Sequence, residues 1–383
     1  MAQGSVFRSG SGWGYVIDVG GSGDRKQRRR KGYRTKRAAL AALAEMQTSL
    51  QRGDYVEPIR MTLAEFLVDE WLPAVASTVR ASTLASYRLH VERYIVPRVG
   101  GRRLQEITGA VLNGLYAELL AGGLAPGTVR KTHTVLRRAL RDAVRWGRTR
   151  LNAAVNADPP KQPGAGSWTV TTWTAAELSA FLEQRSEDRL YALWHVLAST
   201  GMRRGEVAGL RWTDVDLDVA RLSIRQARLS IRYEIEVEEP KSARSRRSIA
   251  LDVETVQVLR AWRAAQLRER LEWGPAWTDS GLVFTREDGV GLHPDRISKL
   301  FDSLVARSGL PRIRLHDLRH THATLALQVG VHPKVVSERL GHSSISLTLD
   351  TYSHAVPALQ AEAAESVANL LQQARAFSER EHS

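Results

Sequence analysis

Residues 315–354 read LHDLRHTHATLALQVGVHPKVVSERLGHSSISLTLDTYSH, from Leu315 to His354. His316 and Arg319 stand three apart, so on a helix their side chains share a face and can reach one anion. A second helix is predicted from about Pro333 to Leu340, closed by Gly341, whose left-handed C-cap turns the chain and presents His342. Tyr352 follows ten residues later. Three groups able to bind or protonate a phosphate therefore precede one phenolic nucleophile. Singly each has a bland explanation, since half-buried tyrosines and satisfied histidines are common. Their joint occurrence in a basic chain points to chemistry on DNA.

Upstream, ASTGMRRGEVAGLRWTDVDL begins at Ala198, with one helix predicted to end at Gly201 and another to begin around Gly205. Arg203 then sits on a tight interhelical turn, where a guanidinium offers a rigid fork to a phosphate next to the positive end of a helix. Arg204 competes for that role, and Glu206 is suited to hold a guanidinium in place. Farther on, RLSIRQARLSIRYEIEVEEPKSARSRRSIAL (Arg221–Leu251) alternates as strands joined by turns, with Ile249 and Leu251 facing inward. Lys241 opens the last turn. It is the sole lysine between Lys161 and Lys299, in a chain whose 55 basic residues are mostly arginine. A lone lysine suits a group that must give up a proton, which guanidinium does not do.

His316, His320 and His322 also raise a zinc site, since HDLRH has the H-x-x-x-H spacing of a metallohydrolase helix. Asp317 is short for the glutamate base of that mechanism, and Arg319 would set a cation beside the metal. His320 and His322 are therefore expected on the helix surface or in packing.

The rest of the chain supplies charge and binding surface. With 383 residues it can hold two or three domains with sizeable cores, and its net charge of +14 calls for a polyanion. An anionic membrane fits less well: no apolar run approaches the ~20 residues that span a bilayer, and the N-terminus lacks a signal-peptide core. A cytoplasmic location is the expectation. The absence of cysteine removes disulfides, thiolate zinc sites and cysteine nucleophiles.

Residues 1–55 form a basic module: ten Lys or Arg against Asp18 and Asp24 within the first 37 residues. Short strands are predicted at Ser5–Arg8, at Trp13–Val19 and in a basic segment ending at Tyr33. A helix follows from about Lys36 to Leu50, leaving the cations of RKQRRRK, among them Arg28, Arg29, Arg30 and Lys31, on a free sheet face. Residues 60–157 read as nearly all helix, with caps at Thr62 and Ser82 and aromatic core positions Trp71, Tyr87 and Tyr94. In its last helix, from about Pro126 to Trp146, Arg130, Arg137, Arg138, Arg141 and Arg145 make a stripe read as phosphate-facing. Residues 158–167, rich in Pro, Gly and Ser, mark a linker, and residues 168–383 carry the chemistry.

The motifs T-G-x-R-x-G-E (Thr200–Glu206), P-K-S-x-x-S-x-R-x-I-x-L (Pro240–Leu251), H-D-L-R-H (His316–His320), L-G-H-S-S-I-S (Leu340–Ser346) and T-L-D-T-Y-S-H (Thr348–His354) resemble those of the tyrosine recombinases, specifically the phage-type integrases. Ser242 stands where threonine is frequent. The resemblance implies a multidomain, mainly α chain with small β elements: an arm-type DNA-binding domain of three strands and a helix, a helical SAM-like core-binding domain, and an α+β catalytic domain. It implies Arg203, Lys241, His316, Arg319, His342 and Tyr352 as catalytic residues, with Glu206 in support. Tyr352 would attack a phosphodiester held by Arg203 and Arg319, His316 would also take the tyrosine proton, and Lys241 would protonate the departing 5′-hydroxyl. A 3′-phosphotyrosyl intermediate conserves the bond energy, so no cofactor, metal or ATP is implied. The implied partners are double-stranded DNA at core and arm sites, a homotetramer on DNA, and accessory bending or directionality proteins. Val367, Leu370 and Leu371, on a helix expected in the segment after Pro357, would dock on a neighbouring protomer or close their own domain. A type IB topoisomerase and a non-catalytic DNA-binding regulator are the competing functions.

Overall fold

The alternation of Trp13, Tyr15 and Ile17 is realised in the computed structural model as β2 (Gly12–Asp18), paired antiparallel with β1 (Gly4–Ser9) and β3 (Gln27–Tyr33). The structure describes residues 4–19, 26–52, 55–161, 171–239, 246–342 and 344–352, with a few positions between 365 and 372. The helix Lys36–Arg52 covers one side of this sheet, where its Leu43 packs with Tyr15 and Ile17. The register corrects one expectation. Side chains alternate along a strand and directly paired residues share a face. Arg28, opposite Ile17, and Arg30, opposite Tyr15, therefore belong to the helix-covered side, at its rim. Arg29, opposite Val16, and Lys31, opposite Gly14, take the free face. Arg28 is further engaged by Tyr55 Oη at 3.2 Å and by Glu57 at 3.5 Å.

In the helical body Thr62 is the expected cap: its hydroxyl accepts from the Glu65 amide, and the Glu65 carboxylate accepts from the Thr62 amide at 2.7 Å. Ser82 is not a cap, because the helix Ala81–His90 already begins beyond Arg80. Leu63, Phe66, Leu67 and Trp71 meet the buried faces of Gly109–Ala121 and Pro126–Arg145 in one core. Trp71 donates to the buried Asp142 carboxylate at 2.9 Å, joining the first helical segment to the last helix. The arginine stripe divides. Arg138 lies over the Tyr87 ring and donates to its hydroxyl at 3.0 Å, and Arg130 donates to the Pro160 carbonyl at 2.7 Å. Arg137, Arg141 and Arg145 remain exposed, Arg145 paired with Asp142 at 3.2 Å.

These residues form one compact unit, Met1–Gly164, and Ala165–Ser383 forms the other. In the second, Trp173, Phe181, Trp194 and Phe301 pack with tilted and edge-to-face rings in the main core. The predicted strands appear as β4 (Val215–Asp216), β5 (Arg221–Ile224) and β8 (Arg247–Ala250) in one sheet, and as the hairpin β6 (Ala227–Ile231)–β7 (Glu234–Glu238). Ile249 and Leu251 are buried as expected. The helices Leu315–Gln328, Pro333–Leu340 and Ile345–Tyr352 enclose a smaller core of Ala323, Leu327, Val336, Leu340 and Tyr352. Lys241 lies outside the described residues, as do most of the linker and nearly all of the tail after Pro357.

Candidate active site

Two glycine-capped helix ends organise the site. Tyr191–Thr200 stops at Gly201, with φ 63°, and Pro333–Leu340 stops at Gly341, with φ 68°. Each end leaves carbonyls with no partner within its own helix, and these attract cations. Three guanidiniums converge on the second end. Arg247 donates to Arg339 O at 2.6 Å, Arg319 to Leu340 O at 2.7 Å and Arg203 to Gly341 O at 3.1 Å. Arg319, fully buried, also donates to Gly201 O at 2.8 Å and so ties the two helix ends together.

The Gly201 conformation is a requirement of that tie. A Cβ there would sit 2.7 Å from Leu340 Cδ2 and 3.0 Å from His322 Cδ2, at a positive φ that other residues adopt at a cost. Gly201→Ala is expected to destabilise the domain by about 1–3 kcal/mol, lowering its melting temperature by roughly 2–10 °C in calorimetry. An unchanged melting temperature would show that the cap tolerates a side chain.

Glu206 is the hub of the cationic cluster. Its carboxylate is buried and accepts a bidentate pair from Arg247 at 2.9 and 2.8 Å, a bond from Arg203 Nη1 at 2.8 Å and one from the Arg203 amide at 2.8 Å. Burial pushes this carboxyl up, but the hydrogen bonds and charge of Arg247, with the charge of Arg203, outweigh it and bring its pKa to about 2. Burial lowers the Arg319 pKa, as does Arg203, while Glu206 raises it; a guanidinium nevertheless keeps its charge at neutral pH. Arg204, the competitor of Arg203, turns away to Asp295 at 2.8 Å and Ser298 at 3.1 Å. Arg203 and Arg247 thus share a single carboxylate, whose charge Arg319 also senses from its place on the helix ends, and the excess positive charge fits an anion.

The histidines and Tyr352 adjoin this cluster. Tyr352 is fully buried, and its Oη lies 2.7 Å from His320 Nδ1. The His342 ring lies nearly parallel to Tyr352, at 8° and 6.5 Å between centroids, with its Nδ1 on Thr348 Oγ1 at 2.8 Å. His316 stands edge-on to His320 at 5.0 Å. Burial drives the phenol up to about 12, opposed by Arg319. Burial lowers His320 and His342 to about 4, assisted by His316 in the first case and by Arg319 and Arg203 in the second. The outer edge of His316 meets solvent, yet the protein around it, together with Arg319 and Arg203, lowers its pKa as well. At neutral pH the imidazoles are therefore uncharged and the phenol keeps its proton; in the tautomer of His320 protonated at Nε2, the phenol is the donor of the bond to Nδ1.

The expected site residues Arg203, Glu206, His316, Arg319, His342 and Tyr352 gather in this one region of the second unit. His320 corrects an expectation: it bonds the Tyr352 hydroxyl instead of occupying the helix surface, and it holds the position expected of His316. His322 is a packing residue, with Nδ1 3.0 Å from Ala198 O and Nε2 accepting from Arg339 at 3.2 Å. The three histidines face different partners, and among the described residues no group of His, Asp or Glu is arranged to hold a metal ion. Sequence reasoning also passed over Arg247. Its signal was present: in S-x-R-x-I-x-L it shares the inward face of a strand with Ile249 and Leu251, a position where arginine requires a buried acid.

Residues 171–358 match the phage integrase family, and residues 6–50 match an arm DNA-binding domain. Over 373 residues the chain is 27% identical to a tyrosine recombinase XerC-like protein of Caldanaerobacter subterraneus, covering 93% of this chain and 95% of that protein. It is 28% identical over 312 residues to the integrase of Mycobacterium phage L5, covering 81% and 80%. The Tn1549 transposon integrase, solved in complex with transposon right end DNA, has a similar fold, with a TM-score of 0.64 at 20% identity, covering 79% of this chain and 98% of that one. A lambda integrase dimer bound to a COC′ core site gives a TM-score of 0.57 at 16% identity, covering 91% and 94%.

Proposed function

The chain belongs to the phage integrase family of tyrosine recombinases, and from that membership we propose that it is a site-specific DNA recombinase that integrates and excises a mobile element. The observation that carries this reading is the cluster of three guanidiniums, Arg203 and Arg247 on Glu206 and Arg319 on the two glycine-capped helix ends, next to a buried phenol whose hydroxyl is bonded to an imidazole. A phosphodiester brings one negative charge and gains more as a fifth oxygen attacks, so fixed guanidiniums at its non-bridging oxygens stabilise the transition state more than the ground state. Arg203, with its partly exposed side chain, and Arg319 fill that role, and His316 and His342 add hydrogen bonds. Tyr352 attacks, Lys241 protonates the leaving 5′-oxygen, and the product is a 3′-phosphotyrosyl ester. That ester stores the energy of the broken bond, so a 5′-hydroxyl from another strand reverses the step without ATP or metal.

In the N-terminal module Arg29 and Lys31, on the free sheet face, are the contacts for arm DNA, with Arg28 and Arg30 at its rim. Arg137, Arg141 and Arg145 are the backbone contacts of the helical domain, with Arg130 and Arg138 held behind them. Four strands are exchanged, so the working assembly is a tetramer on core and arm sites, in the cytoplasm, with accessory bending or directionality proteins.

The test is incubation with a supercoiled plasmid carrying paired attachment sites in EDTA. Site-dependent joined products are expected. Relaxation without joining would instead indicate a topoisomerase, and intact DNA with no covalent adduct a non-catalytic regulator.

A further inference from the structure

We propose that His320 is the proton acceptor for Tyr352 during strand cleavage. The inference deepens the recombinase reading and rests on it. Two imidazoles, His320 and His342, adjoin the Tyr352 ring and a third, His316, adjoins His320, and their geometry separates them. His342 lies nearly parallel to the phenol ring with centroids 6.5 Å apart, and its Nδ1 is engaged by Thr348. His316 meets the edge of His320. Among the described residues only His320 bonds Tyr352 Oη, at 2.7 Å, a distance at which a proton moves without rearrangement. His320 follows Arg319 directly and shares its helix, so the group that takes the proton is held by the same element that supplies a guanidinium to the phosphate.

The step balances. As the Tyr352 Oη–P bond forms, the Oη–H proton passes to His320 Nδ1, the P–O5′ bond breaks, and the 5′-oxygen takes a proton from Lys241. Religation runs the same transfers backwards, with His320 returning its proton to the phenol. The groups facing His320 are Asp317, which raises its pKa, and His316, Arg319 and Arg314, which lower it; those facing Tyr352 are Arg319, His320 and His342. Before DNA binds, this balance leaves the proton on the phenol, so the nucleophile is at rest. A phenol oxygen that is acquiring a bond to phosphorus loses its basicity, so even a weakly basic imidazole then becomes the better home for the proton. A phosphate paired to Arg203 and Arg319 also offsets the cationic charge that holds His320 down.

The experiment uses the full chain and the plasmid with paired attachment sites, reading the SDS-resistant protein–DNA adduct from pH 5 to 9. His320→Asn keeps a hydrogen-bond acceptor near Nδ1 but cannot take a proton, and His320→Ala removes both. Both are expected to lose on the order of 10²–10⁴-fold in cleavage rate at pH 7 and to regain rate steadily as pH rises and hydroxide replaces the missing base. His316→Ala is expected to slow cleavage while keeping the wild-type pH profile. Gel shifts confirm that each variant is folded and bound to DNA. The inference is overturned if His320→Asn cleaves within about threefold of wild type with an unchanged profile, or if the new pH dependence appears in His316→Ala instead. A wild-type protein that forms no adduct defeats the recombinase reading itself, which is a separate outcome from normal wild-type cleavage with an indifferent His320→Asn.

Discussion

Tyr352→Phe is expected to abolish covalent attachment to DNA, with a loss on the order of 10⁴-fold or more, because it removes the phenolic oxygen proposed to attack phosphorus. The chain has no cysteine to substitute. Phenylalanine keeps the packing of the buried ring against Ala323, Leu327, Val336 and Leu340 and removes only the bond to His320. The fold should therefore lose only about 1 kcal/mol, and DNA binding should be preserved. An adduct assay alongside a gel shift checks both halves. Persistent adduct in the Phe variant would move the nucleophile elsewhere. Loss of binding together with cleavage would make the residue structural.

Glu206→Ala should produce the largest change in stability. It leaves the fully engaged Arg247 and the partly buried Arg203 without their shared counter-ion, a situation that costs about 3–5 kcal/mol and lowers the melting temperature by on the order of 10 °C. The carboxyl, ordinarily near 4.5, titrates at about 2 in the folded chain. Because the folded value lies below the unfolded one, the stabilisation is fully present above the ordinary value and is lost as pH falls from about 4.5 toward 2. Its size from this shift is roughly 3 kcal/mol, in line with the substitution. Wild-type and Glu206→Ala melting curves should therefore approach one another at acid pH. Curves that stay parallel down to about pH 2 would contradict the assignment of Glu206 as the charged hub.

Much of this was legible in the chain because local rules wrote it. Gly201 and Gly341 announced helix ends, and both take the left-handed conformation. Thr62 with Glu65 announced a capping box, and the alternation of Tyr15 and Ile17 a covered strand face. Errors arose where a local pattern was extended across an element. RKQRRRK could not lie wholly on one face, because a strand sends neighbouring side chains to opposite sides. The five arginines of Pro126–Arg145 share a helix face, yet Arg138 is drawn to Tyr87, which is 51 residues away in sequence.

The sequence by itself determined the glycine-ended helices, the capping box and the residue types available for phosphate chemistry, since these depend on periodicity, caps and side-chain chemistry within short windows. Only the tertiary structure decided which cation serves which partner. It turned Arg204 to Asp295 and Arg203 to Glu206, and it brought Arg247, Arg319 and Arg203 to three successive carbonyls at one helix end. It also set His320, not His316, on the Tyr352 hydroxyl. The physical reason is that hydrogen bonds and ion pairs act over about 3 Å, whereas these partners, apart from Arg203 and Glu206 three residues apart, are separated by 21 to 138 residues of chain, so their pairing is settled only when helix ends from distant segments pack together.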